Sequence, residues 1–284
     1  MWFLVSLFEI SLTLLIGLIT ILFIGLYVKR TPRKSLLADS LPLSILFLSV
    51  LLQAVAFVNA PLQLLLLAAG ILGNVPENTL LFVLTVVYGH GMSTFVDCAS
   101  VGIFVQRTII LLFPFASSRI RKPIVSATVL TFLALTSANL YFIASSYRLL
   151  EHPFAEACYA FNCLGSLGPI GRASDFYIRM IGSGCMIVTG CVFLVVFIKG
   201  KNKIKSLSDA KLSRFVKYMF IVRTSTVVTY FVPDYIMSKT VGKNLSDFIG
   251  PYAMMCGSLD GLLTAAVYYY VTNRKEKKVF VSST

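Results

Sequence analysis

Long apolar runs fill most of the chain, and short clusters of charged or small polar residues separate them. A helix needs about 20 consecutive apolar residues to cross a bilayer core of about 30 Å, and the runs reach that length. The pattern predicts an all-α polytopic membrane protein in which residues 1–284 form one bundle of seven transmembrane helices. The predicted spans cover about residues 3–28, 36–58, 80–112, 123–147, 175–198, 215–238 and 247–272.

Two features of the first two spans need separate interpretation. The run from Pro61 to Gly73 is apolar but too short to cross a bilayer alone. We interpret it as a kinked extension of span 2, and an outer loop is the alternative. Span 1 begins at Trp2 with no positively charged segment or small-residue cleavage site before it, so we expect it to be retained as a signal anchor.

Composition supports this class of protein. Hydrophobic residues make up 57% of the chain and charged residues 13%, whereas soluble domains carry about 25% charge. A net charge of +13 is also found in nucleic-acid-binding proteins, but here the basic residues lie at the ends of predicted spans rather than on one face. Membrane topology and anionic lipid headgroups explain that placement, so the predicted partner is the lipid bilayer and not nucleic acid.

Lysine and arginine are divided unevenly between the two sides of the predicted bundle. The stretches 29–34, 119–122, 199–217 and 274–278 hold 18 of the 25 basic residues. The loops on the opposite side hold four, which are Arg148, Arg172, Lys239 and Lys243. Because positively charged loops stay in the cytoplasm, we expect the N-terminus outside and the C-terminus inside. Asn244 begins a glycosylation sequon on the predicted outer side.

The sequence offers little for catalysis or metal binding. Two histidines cannot build a histidine-rich metal site and no glycine-rich phosphate loop follows a strand, so we expect no enzyme, metal ion or other cofactor. Predicted span 7 has no lysine, which excludes the Schiff base of a retinal protein. Cys158 and Cys163 face the predicted outer side, and both a bridge between them and two free thiols are compatible with the sequence.

Three ionisable residues fall deep inside predicted spans. Asp97 and Asp260 lie near the middle of spans 3 and 7, and Arg223 lies two turns inside span 6. A charge at this depth is unfavourable by roughly 2.5 to 3.5 kcal/mol unless it is paired or hydrated. We therefore expect the three side chains to form a polar core that links spans 3, 6 and 7. The alternative is that Arg223 extends to the interface while each acid is protonated or hydrated alone.

A short motif stands at the inner end of span 3. The chain reads Gln106-Arg107-Thr108, and Pro114 follows the arginine by seven residues. This resembles the Asp/Glu-Arg-Tyr motif and loop proline of rhodopsin-like G-protein-coupled receptors. The resemblance implies that Arg107 holds the inactive state and then contacts a heterotrimeric G protein.

A second motif, Phe231-Val232-Pro233, is similar to the aromatic-x-Pro switch of span 6 in the same family, and implies a hinge at Pro233. Together with seven spans and a basic fifth loop, the Gln-Arg variant most resembles the nematode serpentine chemoreceptors, including their Srbc-type branch. Some family features are missing. Span 3 has no cysteine at its outer end, and span 7 has no Asn-Pro-x-x-Tyr motif. Asp260 stands in that region, but Tyr268 follows it by eight residues, whereas the tyrosine of the motif follows the asparagine by four. These gaps fit a divergent branch of chemoreceptors.

The resemblance implies a chemoreceptor in the plasma membrane, such as that of a sensory cilium, which binds an extracellular small molecule and activates a G protein through movement of span 6. We expect a ligand pocket that opens outward between spans 3, 5, 6 and 7. Its predicted lining is His90, Ser93, Thr94, Tyr177, Phe231, Asp234, Tyr235 and Tyr252. The alternatives are a seven-span transporter that uses the same midplane residues and a membrane scaffold without signalling activity.

Overall fold

The computed structural model describes residues 2–30, 41–113, 117–148, 150–151, 153–154, 169–200, 207–241 and 252–273, without some side chains inside the helices. Almost all of this part of the chain is helical, as the apolar pattern predicted. The seven helices are α1 (Trp2–Arg30), α2 (Leu41–Ala68), α3 (Pro76–Leu112), α4 (Ser117–Ser146), α5 (Pro169–Gly200), α6 (Leu207–Val241) and α7 (Tyr252–Asn273).

Helices α1 to α6 each contain a segment that is long and apolar enough to cross a membrane. The chain is therefore a multi-span helical membrane protein. Helix α7, with 22 residues, is long enough but not apolar enough to qualify, in part because Ser258, Asp260 and Thr264 interrupt its apolar sequence. All three of these residues are buried in the bundle. That α7 crosses the membrane as a seventh span therefore stays a prediction.

Most helices extend further than the predicted spans. Helix α2 continues through Pro61 to Ala68, as expected for an extension of span 2, and a turn follows it. The helices also take up part of the basic stretch 199–217, which includes the connection between predicted spans 5 and 6. Helix α5 continues to Gly200 and α6 begins at Leu207. Lysine and arginine are good helix formers and extend their charged ends into water, so a helix that contains them can continue beyond the bilayer.

The connection between α2 and α3 is fixed by local backbone chemistry and by a contact with a distant segment. Gly70 has a φ of 71°, a conformation that favours glycine and ends α2. Pro76 then starts α3 in the first turn, where no backbone donor is needed. The Asn74 amide donates to the Phe154 carbonyl at 3.0 Å and accepts from the Phe154 N–H at 3.1 Å. Phe154 also contacts Phe82 of α3, with ring centroids 5.3 Å apart.

The helices pack around a ring in chain order, and α7 closes the ring against α1. Helix α3 lies inside it, in contact with α2, α4, α5 and α6. Helix α7 approaches α2 closely at Gly257, where an added Cβ would lie 2.8 Å from the Phe57 ring. Small residues at such positions allow two membrane helices to pack tightly. This approach brings α7 toward the helices that carry the polar side chains described below.

Two apolar clusters fill the bundle. One, near the end where α1 begins (the N-terminal end), includes Phe57, Phe82 and Met254. The other, toward the opposite end, includes Phe104 and Phe215. Asp97, Arg223 and Asp260 are buried between these clusters and belong to neither. Large apolar side chains also cover the outer surface of the helices, as expected for a protein solvated by lipid.

Candidate functional site

Arg223 of α6 joins α3 and α7 through two buried carboxylates. Its Nη1 donates to Asp260 Oδ2 at 2.7 Å, and its Nη2 donates to Asp97 Oδ1. Arg223, Asp97 and Asp260 are 6%, 7% and 6% exposed. The guanidinium is planar and presents donors in a fixed fork, so one arginine can contact two carboxylates on different helices. We call these three residues the triad.

The triad is the polar core that the sequence predicted, and the alternative of an Arg223 that extends to the interface does not fit its burial. Ser183 of α5 adds a fourth helix, since its hydroxyl lies 3.3 Å from Asp97 Oδ2 and donates to it. Charge-assisted hydrogen bonds are about twice as strong as neutral ones, and the low dielectric of a bilayer strengthens them further. The position of α6 relative to α3 and α7 is therefore tied to these bonds.

A second arginine lies close to the triad. Arg179 of α5 stacks over the Tyr230 ring of α6, with its guanidinium carbon 4.9 Å from the ring centroid. Arg179 lines the same cavity as the triad, so two carboxylates and two guanidinium groups share one space. A buried set of charges is far less unfavourable when it is balanced in this way.

This cavity has a volume of about 80 Å³. On α7 it extends from Ala253, near the start of the helix, to Asp260, a distance of about 10 Å along the axis. It therefore leads from the triad toward the N-terminal end of the bundle. Its polar lining consists of Gln53, Ser93, Asp97, Arg179, Ser183, Arg223, Thr226, Tyr230 and Asp260.

Hydrogen bonds between helices hold the walls of the cavity. Gln53 of α2 donates to the Ser93 hydroxyl of α3 at 2.6 Å. The Tyr252 hydroxyl, in the first turn of α7, donates to the Thr229 carbonyl of α6 at 2.8 Å. These bonds fix α2 to α3 and α7 to α6 on the side of the triad that faces the N-terminal end.

The predicted ligand residues are only partly at this cavity. Ser93 lines it, and Tyr252 braces its wall. Thr94 is buried in α3 but does not line it. Tyr177 and Tyr235 do not line it, and their side chains are 58% and 64% exposed. The side chains of three further predicted residues, His90, Phe231 and Asp234, lie outside the described part of the chain.

The helical period explains why both tyrosines lie away from this cavity. Tyr177 precedes Arg179 by two residues, which places the two side chains about 200° apart around α5. Tyr235 follows Tyr230 by five residues, which rotates it about 140° away from the cavity.

At the other end of α3 the predicted coupling motif is buried. Gln106 and Arg107 are 2% and 4% exposed, and the Thr108 hydroxyl donates to the Phe104 carbonyl at 2.8 Å. Pro114 lies outside the described residues, as do Cys158, Cys163 and Asn244. Pro233 lies inside α6, which runs as one helix from Leu207 to Val241. The structure therefore has Arg107 covered by the surrounding helices.

Five polar residues of the cavity were missed by the sequence reasoning: Gln53, Arg179, Ser183, Thr226 and Tyr230. The rule that an intramembrane charge needs a partner was applied to Arg223 but applies equally to Arg179, which stands inside the apolar segment Phe176–Gly200. Gln53 is a lone amide in an apolar run and gave a weaker signal of the same kind. Ser183 gave none, because a serine satisfies its hydroxyl in most helices by bonding to its own backbone.

No group of three His, Cys, Asp or Glu side chains that could hold a metal ion occurs among the residues that the structure describes. The cavity is lined by guanidinium, carboxylate, amide and hydroxyl groups. No protein-family model matches the chain, and no curated protein is significantly similar to it in sequence.

Proposed function

We propose that the chain is a G-protein-coupled chemoreceptor of the plasma membrane, with its N-terminus outside and α7 as its seventh span. The triad carries this proposal, because it joins α3, α6 and α7 at the base of a polar cavity that leads toward the N-terminal end. A group that enters the cavity can compete directly for the bonds that fix α6. Ligand binding and helix position are thereby linked through named atoms.

The ligand class follows from the cavity. Its volume is well below the roughly 300 to 1,000 Å³ of sites for drug-sized molecules. Its lining offers both guanidinium donors and carboxylate acceptors in one space. We propose a compact polar ligand that carries a charged or strongly hydrogen-bonding group. Such a ligand replaces one triad bond with a bond to itself and so favours the state in which α6 is released.

The release of α6 provides a route to G-protein coupling. Arg107 lies ten residues from Asp97 on α3, which is about 15 Å along the helix toward the end opposite the N-terminus. It is buried in this structure, and in the proposed inactive state it is unavailable to a partner. Movement of α6 about Pro233 or Arg223 opens that end of the bundle and exposes Arg107. The Gln106-Arg107 resemblance gives Arg107 the role of the G-protein contact.

A transporter is the second candidate, since a buried Asp–Arg–Asp set is also suited to substrate or proton passage. Transporter sites at the midplane are typically formed by interrupted helices. Each described helix here runs without interruption. This observation favours the receptor, and uptake of labelled ligand into vesicles would favour the transporter.

The experiment is a screen of small polar molecules in cells that express the chain together with a G-protein dissociation sensor. Two variants accompany the native chain: Ser93→Phe, which fills the cavity, and Leu22→Phe on the exposed lipid side of α1 as its control. We expect a compact polar agonist whose response is lost in Ser93→Phe and retained in Leu22→Phe. A response that is equal in both variants at equal surface level would contradict binding in this cavity.

A further inference from the structure

A second, apolar crevice lies between α3, α4 and α5. Its volume is about 330 Å³, within the range of small-molecule sites. Its lining includes Val101, Val105, Ala127, Leu135 and Ile181. Ala127 and Ile181 are exposed on the outer surface, so the crevice opens sideways, away from the polar cavity.

The strongest hydrogen-bonding groups of the lining are two hydroxyls, and both already donate to the backbone of α4, while the thiols of Cys98 and Cys185 are only weak donors. Thr128 donates to the Ile124 carbonyl at 2.9 Å, and Thr131 donates to the Ala127 carbonyl at 2.8 Å. A polar molecule in the crevice would lose its own hydrogen bonds to water and regain few. The occupant is therefore apolar.

The position and shape of the crevice identify that occupant more closely. Nearly all of its lining belongs to helix segments of membrane-spanning length and composition, so lipid is the solvent at its mouth. Along α4 the lining extends from Ile124 to Leu135, which is about 16 Å of helix axis. A slot this long, roughly parallel to the helices, matches an extended hydrocarbon chain.

We propose that this crevice binds one acyl chain of a membrane phospholipid. The acyl chain lies directly behind the triad, because Gly182 lines the crevice on one side and faces Asp97 on the other. A Cβ added to Gly182 would lie 3.4 Å from Asp97 Oδ2, so no side chain separates the crevice from that carboxylate. Cys98, the neighbour of Asp97, lines the crevice as well. The bound chain fills the space behind Asp97 and so stabilises the α3–α5 contact on which the triad rests.

The test uses the purified full chain in phosphatidylcholine nanodiscs that contain a small fraction of phosphatidylcholine with a diazirine in one acyl chain. After photolysis, peptide mass spectrometry measures adducts at the crevice residues Val105 and Ile181 relative to Leu22, an exposed residue of α1. Ala127→Phe narrows the crevice. Ser126→Phe, at the adjacent exposed position outside the lining, is its matched control.

We expect several-fold more labelling at the crevice than at Leu22 in the native chain and in Ser126→Phe, and a loss of this excess in Ala127→Phe. Labelling at the crevice equal to that at Leu22 would overturn the proposal, as would an unchanged excess in Ala127→Phe. Thr131→Phe at another lining position gives a second reading if Ala127→Phe does not elute as a folded species. Because no G protein or agonist takes part, the result does not depend on the receptor proposal.

Discussion

Replacing Arg223 by leucine removes the cation that Asp97 and Asp260 both contact. Leucine fills much of the same space, so the main effect is electrostatic. Two carboxylates are then left in a buried layer, and breaking a buried ion pair in this way destabilises a protein by about 3 to 5 kcal/mol. The loss of neutral hydrogen bonds between membrane helices averages only about 0.6 kcal/mol. The stranded charges therefore dominate, and we expect at least about 3 kcal/mol.

The thermal midpoint of the purified protein in detergent measures this loss. A change of 1 kcal/mol shifts the midpoint by about 2 to 4 °C in a domain of 150 to 250 residues, so Arg223→Leu should lower it by about 6 °C or more. A maleimide dye that fluoresces on reaction with thiols can report unfolding, since Cys98 and Cys256 are buried. Arg214→Leu is the control, because Arg214 lies on the same helix but is exposed.

The double variant separates stranded charge from lost packing. Asp97→Asn alone keeps an oxygen that can accept from Arg223, so we expect it to be milder than Arg223→Leu. Combined with Arg223→Leu, it removes one of the two stranded carboxylates, and the double variant should be more stable than Arg223→Leu alone. Coupling of about 0.5 to 3 kcal/mol is usual for residues in contact. If the two losses simply add, or if Arg223→Leu is no less stable than Arg214→Leu, the triad does not hold the helices together.

Three further predictions concern other parts of the molecule. Gln106→Glu places a carboxylate beside Arg107, and a charge-assisted hydrogen bond contributes about 1.5 to 3 kcal/mol. Agonist-free second-messenger output, normalised to surface level, should therefore fall. Unchanged or higher output would contradict this restraint on Arg107. Asn74→Ala removes both hydrogen bonds to the Phe154 backbone, each of which contributes about 0.5 to 1.5 kcal/mol. It should therefore accelerate proteolysis between α4 and α5, and a cleavage rate equal to that of the native chain would refute this. Antibody should reach a tag after Thr284 only in permeabilised cells, and staining of intact cells would reverse the proposed orientation.

The sequence was sufficient to predict the helices and the triad because one physical rule governs both. Lipid offers no hydrogen bonds, so apolar runs must be helical and charges within them must find partners. Asp97, Asp260 and Arg223 were therefore identifiable from depth alone. Arg179 was open to the same rule. Arg179 was not predicted, although it stands inside an apolar segment and the rule therefore selects it.

Position around a helix was harder to predict than depth along it. Tyr177 and Tyr235 have the depth expected of ligand residues but point away from the cavity. In a membrane the outer surface is as apolar as the interior, so the pattern of hydrophobic residues that orients a helix in a soluble protein is weak. The hydrogen bond between Gln53 and Ser93 depends on how α2 and α3 pack, and it was equally inaccessible from the sequence.

The most direct test of the receptor proposal is guanine-nucleotide exchange on purified heterotrimeric G proteins, catalysed by the chain in nanodiscs. A panel that covers the major Gα classes is needed, and each rate is normalised to the amount of folded protein. The matched variant is Arg107→Ala, with Lys239→Ala as a control at the exposed end of α6 that is remote from Arg107. We expect the native chain and Lys239→Ala to accelerate exchange on at least one heterotrimer and Arg107→Ala to lose that activity. The same exchange rate for all three, or no acceleration of any heterotrimer by the native chain even with a ligand that binds the cavity, would contradict the proposal.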